Sequence, residues 1–352
     1  MKNYANKNIQ AMQPYQPPIE GRRSFDGLLL DFNERTTPFG NVIVEAIKKF
    51  ANNNKFQIYP EYGDITKDIA EYVNIKPENI MITNGSDQGI DLIFRTFTKK
   101  DEEVIIPSPS FAMFYQCSRV IDNKIIMPKY GSNDMSFPLD DVLNSITEKT
   151  KLVVICNPNN PTGTLISVAD IEKICKKAKD AIVYVDEAYA EFSGVTAVPL
   201  LDKYPNLIIT RTFSKAFGLV ALRIGYVIAR PELIKEMLKV RGPYDINMVS
   251  LCAAKTALQN LDNLDNYVDE VMEKSKPMLE KFLDDVDIRY YESGSNFILI
   301  KPKDSKKIYE KLIQNGIQTR LRKDESINGA VRITIGTIKQ TKQLINTLKT
   351  LL

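Results

Sequence analysis

The chain has 352 residues, of which 43% are hydrophobic and 26% charged, a balance typical of a globular protein long enough for a large α/β domain and a smaller one. Its formal net charge is +3 with lysines and acidic residues interspersed, so we expect no nucleic-acid or membrane surface and a small-molecule partner. No apolar run reaches the roughly 20 residues of a membrane span and residues 1–6 lack a signal-peptide stretch, so we expect a cytoplasmic protein.

Two residue types limit the chemistry. Histidine is absent, which removes the Ser-His-Asp and Cys-His nucleophiles and the usual general base. The cysteines at 117, 156, 175 and 252 have no paired short spacing, so we expect buried thiols and neither a metal site nor disulfides. An enzyme with this sequence must move protons with another group, and a lysine is the candidate.

The amino-terminal part contains three prolines around Tyr15 within the first 25 residues and no periodicity, which predicts an arm laid over the body. A short strand is predicted over 27–33. Apolar residues at helical spacing predict a helix over 42–50. The loop at 57–62, which carries Tyr59, precedes a helix predicted over 64–73.

A first candidate site lies where a strand over 80–83 leads into a helix ending near 97. Gly85, Ser86 and Asp87 stand at the start of this helix. Free backbone N–H groups and the helix dipole favour a phosphate there. An ordinary capped helix would show the same residues, so this pattern alone leaves both readings open.

The middle of the chain alternates strands and helices, which predicts βαβ units and a mainly parallel sheet. The predicted strands are 103–107, 124–128, 151–156 and 181–185, and the predicted helices are 138–146 and 167–178. Phe111, Asn160, and the pair Asp186 and Tyr189 follow three of these strands, on the side of the sheet where ligands bind. By position alone, a core-facing phenylalanine and a helix-capping aspartate are the ordinary interpretations.

Lys215 follows a strand predicted over 206–210, with Thr212 and Ser214 before it and Arg223 after it. A lysine at a strand end can form a Schiff base with an aldehyde cofactor. Hydroxyls and a guanidinium beside it suit a phosphate, and the combination suits pyridoxal phosphate. A strand followed by a basic surface loop is the alternative.

The carboxyl-terminal part predicts a second, smaller α/β unit. A strand over 224–228 and a helix from 231 are followed by amphipathic stretches at 246–259 and 262–284, of which the longer bridges to this unit. Within it we predict strands at 297–300, 317–321 and 331–335, and helices at 305–315 and from 338 onward.

Two segments carry a resemblance to a known family. Ser214-Lys-Ala-Phe-Gly-Leu219 with Leu222-Arg-Ile-Gly-Tyr226 resembles the lysine motif of fold-type-I pyridoxal-phosphate aminotransferases, most closely that of the histidinol-phosphate aminotransferase family. The segment 31–40 resembles the family's Asn-Glu-Asn-Pro-x-Gly segment, which lies beside the substrate. It departs where Arg35-Thr-Thr replaces the second asparagine, and this leaves the substrate open.

The resemblance runs from residue 31 to 337 and implies a fold and a domain division. The implied fold is α/β, with a large domain whose mainly parallel mixed sheet is covered by helices and a smaller α/β domain. The implied divisions are an arm and part of the small domain at 1–40, a large cofactor-binding domain at 41–245, bridging helices at 246–285 and a small domain at 286–352.

The resemblance also implies residue roles. Lys215 would form the Schiff base and move the proton, Asp186 would hold the pyridine nitrogen protonated, and Asn160 and Tyr189 would hydrogen-bond the ring oxygen. Phe111 would stack on the ring. The implied phosphate ligands are Gly85, Ser86, Asp87, Thr212, Ser214, Arg223 and, from the neighbouring subunit of a homodimer, Tyr59. The implied substrate ligands are Tyr15, Asn33, Arg320 and Arg332.

The implied reaction moves an amino group between glutamate and imidazole acetol phosphate in histidine biosynthesis. Alternatives within the same cofactor chemistry are an aromatic or other amino-acid aminotransferase, and a decarboxylase similar to threonine-phosphate decarboxylase. A non-catalytic, cofactor-binding regulator is a third reading. For Tyr59 the alternative is packing on the body, and for Arg320 and Arg332 it is a surface strand position.

Overall fold

The computed structural model describes residues 4–351. Its strands are, in chain order, β1 (Leu28–Leu29), β2 (Ile80–Thr83), β3 (Glu103–Ile105), β4 (Lys124–Ile126), β5 (Thr150–Cys156), β6 (Ile182–Asp186), β7 (Leu207–Thr212), β8 (Gly225–Ala229), β9 (Tyr290–Tyr291), β10 (Phe297–Ile300), β11 (Ile317–Gln318), β12 (Arg320–Leu321) and β13 (Val331–Thr334).

The helices that were predicted begin and end close to the predicted positions, and the structure adds further helices. In chain order, all of these helices are α1 (Lys7–Gln10), α2 (Asn41–Asn52), α3 (Ile65–Tyr72), α4 (Gly85–Phe97), α5 (Ala112–Ile121), α6 (Leu139–Ser145), α7 (Val168–Lys177), α8 (Ala190–Ser193), α9 (Pro231–Val240), α10 (Met248–Leu258), α11 (Leu261–Asp269), α12 (Lys276–Asp285), α13 (Ser305–Gln314) and α14 (Ile338–Leu351). The unpredicted ones are α1, α5 and α8. A π-helical segment, Glu270–Ser275, joins α11 to α12.

The larger sheet has seven strands in the order β2-β8-β7-β6-β5-β3-β4. The pairs from β4 through β3, β5 and β6 to β7 are parallel, whereas β8 is antiparallel to both of its neighbours. The carboxyl ends of β5, β6 and β7 therefore meet at one edge of the sheet, which is where the predicted site residues begin.

The central strands are buried on both faces, because helices cover the sheet from both sides. Val183, Tyr184 and Val185 of β6 are all fully buried, so successive residues are apolar or aromatic instead of alternating with polar ones. Burial of each such side chain contributes about 1.5–3 kcal/mol. The rigid centre of the sheet thus supports the edge at which the polar residues stand.

Helix α4 packs unusually close to the sheet because of one glycine. A Cβ atom on Gly89 would lie 3.1 Å from the Val227 side chain and 3.2 Å from that of Thr210. The apolar residues Ile90 and Ile93 of the same helix are fully buried. This packing fixes the amino terminus of α4 beside the ends of β7 and β8.

A second sheet lies in the carboxyl-terminal part, with the antiparallel order β12-β13-β10-β9. The amino-terminal segment joins this part, since β1 pairs in parallel with β11 and the Thr334 amide donates to the Leu30 carbonyl at 2.9 Å. The residues just after β1 consequently run between the two sheets. The α/β fold class predicted from the sequence is confirmed.

Some predictions differ from the structure in detail. The strand predicted over 317–321 is divided, because β11 pairs with β1 while β12 pairs with β13. The arm contains the short helix α1, and Asn8 donates to the carbonyls of Arg119 and Val120. Helix α5, after Phe111, was not predicted. Cys252 is only partly buried, so the prediction of a buried thiol is wrong at that position.

Candidate active site

Lys215 lies in the turn that follows β7, and its amine points to the amino-terminal segment. Its Nζ donates to the Phe32 carbonyl at 2.9 Å and lies 5.6 Å from the centroid of the Tyr189 ring. Burial, and after it the charge of Arg332, lower the pKa of this amine to about 8. About a tenth of the amine is therefore uncharged at pH 7, far more than for an ordinary lysine, and the uncharged form is the one that acts as a nucleophile or accepts a proton.

Asp186 is the last residue of β6 and is 2% exposed. Its carboxylate accepts hydrogen bonds from the Ala188 amide at 3.0 Å and from the Tyr184 hydroxyl at 3.3 Å. Burial raises the pKa of this carboxyl to about 7 despite those donors. A buried carboxyl with so few donors is poised to pair with a cationic group of a ligand.

Tyr189 and two asparagines form the next part of the cluster. The Tyr189 hydroxyl accepts from Nδ2 of Asn33 at 3.0 Å and from Nδ2 of Asn160 at 3.4 Å. Its ring packs edge-on against Phe297 with centroids 5.4 Å apart. Burial raises the pKa of this phenol, so it stays protonated and can donate a hydrogen bond to an oxygen of a ligand.

Helix α4 and the residues around Lys215 form an anion-binding end. Arg223 donates to Asp87 at 2.8 Å through Nη2 and to the Ser214 hydroxyl at 3.3 Å through Nη1. The Thr212 hydroxyl accepts from the Ser214 amide at 3.1 Å. Ser86 follows Gly85 in the first turn of α4, where N–H groups lack intrahelical partners.

Gly85 allows this end to assemble. Its φ of +72° belongs to the left-handed region, and a Cβ atom there would lie 2.6 Å from Nη2 of Arg223. A side chain at Gly225 would meet the Ser86 amide at 2.7 Å. Both positions thus keep the guanidinium and the helix amino terminus in close approach, which is the arrangement that binds a phosphate.

Arg332 lies at the opposite end of the cluster, on β13. Its Nη1 donates to Oδ1 of Asn160 at 2.5 Å, and its Nη2 donates to the Asp31 carbonyl at 2.7 Å. Burial lowers the pKa of this guanidinium to about 10. Arg320 and Tyr15 lie near enough for their charges to affect that pKa, and the Arg320 guanidinium stacks over the Phe32 ring at 5.5 Å.

Two predicted residues stand apart from these hydrogen bonds. Phe111 precedes α5, is partly buried and packs edge-on against Phe114 at 5.7 Å, so part of its ring surface remains accessible. Tyr59 is 71% exposed and stacks on Tyr244 with centroids 4.2 Å apart. The alternative prediction is that Tyr59 packs on the body of its own chain. Among the ring pairs described, the stack on Tyr244 is the contact that supports it.

The sequence interpretation missed the residues that hold the site from behind. Glu187 accepts from Nε and Nη2 of Arg211 at 3.0 and 2.8 Å, and both side chains also contact Thr196. This buried ion pair joins the end of β6 to that of β7. The available signal in the sequence was a pair of opposite charges, Glu187 next to Asp186 and Arg211 next to Thr212, which face away from the site.

A second missed group anchors the amino-terminal segment. Arg22 pairs with Asp31 at 2.6 Å and with Glu34 at 2.7 Å. Its guanidinium also lies 4.3 Å from the centroid of the Phe32 ring. Arg22 thus binds Asp31 before Phe32 and Glu34 after it, and these ion pairs hold the Phe32 carbonyl that accepts from Lys215. Opposite charges nine and twelve residues apart give no periodic signal, so sequence alone could not pair them.

The cluster has the chemistry that pyridoxal phosphate requires. Two of its buried polar atoms, Oδ1 of Asn33 and Nε of Arg332, have no hydrogen-bond partner in the protein. Buried polar groups are normally paired, so both atoms are free to bind polar groups of a ligand. An amine, a buried carboxyl, a phenol and a phosphate-binding helix terminus together fit the aldehyde, ring nitrogen, ring oxygen and phosphate of that cofactor.

Two further features, a metal-binding group and a membrane-spanning helix, are not found among residues 4–351. Within that range, no group of three or more His, Cys, Asp or Glu side chains is arranged to hold a metal ion. None of the helices there combines the length and the apolar character that crossing a membrane requires.

Comparison with solved structures agrees with this fit. A crystal structure of histidinol-phosphate aminotransferase from Sinorhizobium meliloti in complex with pyridoxal-5'-phosphate matches with a TM-score of 0.89 at 22% identity, covering 100% of this chain and 98% of that one. The fold and the site define a fold-type-I pyridoxal-phosphate enzyme. Residues 26–348 match the family described as aminotransferase class I and II. The chain belongs to the class I and II aminotransferase family.

Two curated relatives are similar over nearly their whole length. The histidinol-phosphate aminotransferase of Thermoanaerobacter sp. (strain X514) is 36% identical over 327 residues, which is 92% of this chain and 92% of the relative. That of Cytophaga hutchinsonii is 35% identical over 350 residues, or 97% of each. The predicted family, the aminotransferase class and the pyridoxal-phosphate cofactor are thereby confirmed, while the role of each site residue stays a prediction.

Proposed function

We propose that this aminotransferase exchanges the amino group of glutamate with imidazole acetol phosphate, the histidinol-phosphate:2-oxoglutarate reaction of histidine biosynthesis. The curated relatives named for this activity support it. The observation that carries it is the hydrogen-bonded path from Arg332 through Asn160 to Tyr189. This path places the Arg332 guanidinium, which can bind a substrate anion, at one end of the cluster to which the Lys215 amine belongs.

The amine of Lys215 is the proton-transferring group in this proposal. Bound pyridoxal phosphate supplies an aldehyde that takes up amino groups and a ring that withdraws electrons from the substrate's Cα. The Lys215 amine, with its pKa lowered to about 8, would accept the proton from the substrate's Cα and deliver it to the aldehyde carbon of the cofactor. With no histidine in the chain, this amine does the work of the usual general base.

Asp186, Tyr189 and Asn160 orient the cofactor and keep its ring electron-poor. The Asp186 carboxylate holds a proton on the ring nitrogen, since a charge at this buried carboxyl is stable only beside a cation. The Tyr189 phenol and the Asn160 amide donate to the ring oxygen. The exposed part of the Phe111 ring stacks on the pyridine.

The phosphate would be held at the start of α4. Backbone N–H groups of Gly85, Ser86 and Asp87 would donate to it, and the guanidinium of Arg223 would neutralise its charge. Hydroxyls of Thr212 and Ser214 would add neutral donors. Tyr59 reaches the phosphate of the neighbouring subunit in a homodimer, and its high exposure in the single chain supports that assignment.

Substrate anions bind between the two sheets. Arg332 and Arg320 hold a phosphate or carboxylate, because guanidinium forks match both groups. Tyr15, close to Arg332, closes the site from the arm, and the unpaired Oδ1 of Asn33 accepts from the substrate. We assign the domains as 1–40, 41–245, 246–285 and 286–352, with this substrate site between the first and the last, and we assign the enzyme to the cytoplasm.

The test is an amino-transfer screen with the purified, cofactor-loaded protein. Histidinol phosphate with 2-oxoglutarate is expected to yield glutamate faster than aromatic amino acids do. Equal or faster transfer from phenylalanine or tyrosine would contradict the substrate assignment and favour an aromatic aminotransferase. Release of carbon dioxide from threonine phosphate, without glutamate formation, would favour the decarboxylase.

A Lys215→Ala variant tests the mechanism in the same screen. Turnover is expected to fall by at least about 10³-fold, because both the covalent attachment point and the proton carrier are lost. The exposed Lys48, paired only with Glu45, provides the matched control as Lys48→Ala. Retained turnover in Lys215→Ala would refute the assigned role of Lys215.

A further inference from the structure

Arg35 stands where the resembled family segment has an asparagine, and its guanidinium binds the turn that carries Lys215. Nη1 donates to the carbonyl of Ala216, the residue after Lys215, at 3.0 Å. Nη2 donates to Oδ1 of Asn263 in α11 at 2.6 Å and to the main-chain carbonyl of Asn263 at 3.3 Å. Arg35 therefore connects the amino-terminal segment, the lysine turn and α11.

Two aromatic rings fix the orientation of this guanidinium. Its central carbon lies 4.2 Å from the centroid of the Tyr267 ring and 5.1 Å from that of Phe39. Burial lowers the pKa of Arg35, with Tyr267 opposing that shift. A planar group that stacks and donates in two directions is a property of arginine that lysine does not share.

The aliphatic part of Arg35 covers the end of the lysine turn. A Cβ atom on Gly218, whose φ is +68°, would lie 2.8 Å from Cδ of Arg35. The turn is closed by hydrogen bonds from the Gly218 amide to the Lys215 carbonyl at 3.0 Å and from the Leu219 amide to the Phe213 carbonyl at 2.8 Å. Arg35 thus packs against the turn as well as hydrogen-bonding to it.

The same short segment also contacts the functional end of Lys215. The Phe32 carbonyl accepts from its amine, and Asn33 donates to the Tyr189 hydroxyl. The amine of Lys215 is consequently bound by residue 32, and the carbonyl of the next residue, Ala216, is bound by Arg35. Movement of the segment relative to the turn would change both contacts together.

We propose that Arg35 is a positioning residue for Lys215, which fixes the lysine turn to the amino-terminal segment and so keeps the amine within reach of the cofactor and the substrate Cα. The inference rests on the proposed function of Lys215. Both Nη atoms of Arg35 donate to protein carbonyls and an amide oxygen, while its buried Nε has no partner in the protein. The contacts that Arg35 makes in place of the family's asparagine are therefore to the lysine turn and to α11.

The charges around Lys215 make its proton affinity a usable readout. Arg332 and Arg223 lower the pKa of Lys215 and Glu34 and Asp87 raise it, but burial is the largest cause of its lowering. Loosening the turn admits water, which reduces the effect of burial while these four charges remain. The pH at which the lysine nitrogen binds a proton should then move upward.

The experiment is a pH titration of the visible absorbance of the cofactor-loaded enzyme, with kcat and KM measured on the same samples. In Arg35→Ala the midpoint is expected to rise by about half a pH unit or more. We expect kcat to fall about 10-fold, because misplacement of a catalytic group lowers the rate of the chemical step. KM should change by less than about 2-fold, since no substrate contact is removed.

Two milder variants and one control complete the set. Arg35→Lys keeps the positive charge but not the planar group that donates in two directions. Its midpoint and kcat should lie between those of Arg35→Ala and the wild type. Asn263→Ala removes one acceptor of the Arg35 guanidinium while Arg35 stays. It should raise the midpoint and lower kcat, each by less than Arg35→Ala does. Arg95→Ala, on the exposed face of α4 and paired with Asp91, should leave both at the wild-type values.

A lower melting temperature of Arg35→Ala with an unchanged midpoint and kcat would overturn the proposal, because it would show a merely structural role. If Arg35→Ala does not fold, unchanged midpoints in both Arg35→Lys and Asn263→Ala would overturn it instead. The Lys215→Ala variant separates the two claims. Were it to titrate like the wild type, the role of Lys215 itself would fail, whereas a failure confined to Arg35 leaves that role intact.

Discussion

The two ends of the proposed cofactor site differ in how deeply one chain buries them. At the ring end, Asp186 and Tyr189 are each 2% exposed and held by neighbours from several elements. At the phosphate end, the side chains of Arg223 and Asp87 are 40% and 43% exposed, and Tyr59 is 71% exposed.

This difference separates two kinds of electrostatic control. Burial shifts the pKa of both Asp186 and Lys215 at the ring end, so the protein itself sets the chemistry there. At the exposed end, solvent screens the ion pair of Arg223 and Asp87, which contributes little to stability. We predict that this pair binds the cofactor phosphate and that Tyr59 of a second subunit completes the site.

The largest effect is expected at the ring end. Asp186→Asn should lower kcat by about 10²–10³-fold, because a neutral amide does not stabilise a positive ring nitrogen as electron density builds up. Asp186→Glu, which keeps the carboxylate, should retain more activity. The check is steady-state kinetics at saturating cofactor, and a loss in Asp186→Asn of less than about 3-fold would contradict this role.

The same substitution should stabilise the cofactor-free protein. The folded-state pKa of Asp186 is raised to about 7 from 3.8, so above pH 7 folding carries the cost of a buried charge. That cost is absent below about pH 4, where the carboxyl is protonated in both states, grows as pH rises from about 4 to 7, and stays constant above pH 7. Asp186→Asn should therefore exceed wild type in its free energy of unfolding by about 1–4 kcal/mol near pH 8.

Urea unfolding of both proteins without cofactor, at about pH 5 and pH 8, measures this difference. The gap between the variant and the wild type should widen with pH. A gap of equal size at both pH values would show that the charge of Asp186 is not its cause.

A smaller effect is expected at the phosphate end. Arg223→Ala should weaken cofactor binding by about 10- to 100-fold, which corresponds to the loss of a charged hydrogen bond. Turnover at saturating cofactor should change less, since the ring end stays intact. Cofactor titration by absorbance gives the dissociation constant, with Arg95→Ala as the control, and an equal effect of the two substitutions would contradict the assignment.

The smallest effect is expected from the exposed tyrosine. Tyr59→Phe removes only a hydroxyl and keeps the stack on Tyr244, so cofactor affinity should fall by about 2- to 10-fold. Tyr244→Phe is the matched control and should have no effect. The loss should appear only at protein concentrations at which sedimentation shows a dimer, and a loss in the monomer would place the contact within one chain.

Much of the fold and the reactive groups could be predicted from the sequence. Apolar runs predicted the central strands, and Lys215 was assigned because ligands bind at strand ends. The roles of Asn160 and Asp186 were implied by the family resemblance. The division of 317–321 and helix α5 were not predicted, since strand pairing and helix packing depend on distant neighbours. The Arg35 contacts to residues 216 and 263 span 181 and 228 positions, and no local pattern signals them.

The sequence by itself determined the order of strands and helices and which reactive side chains follow them, because both depend on local spacing. The tertiary structure decided the charge states of those side chains, since the pKa values of Asp186 and Lys215 follow from burial by segments far away in the chain. It also decided that Arg35 binds the lysine turn, because only packing brings residues 35 and 216 together.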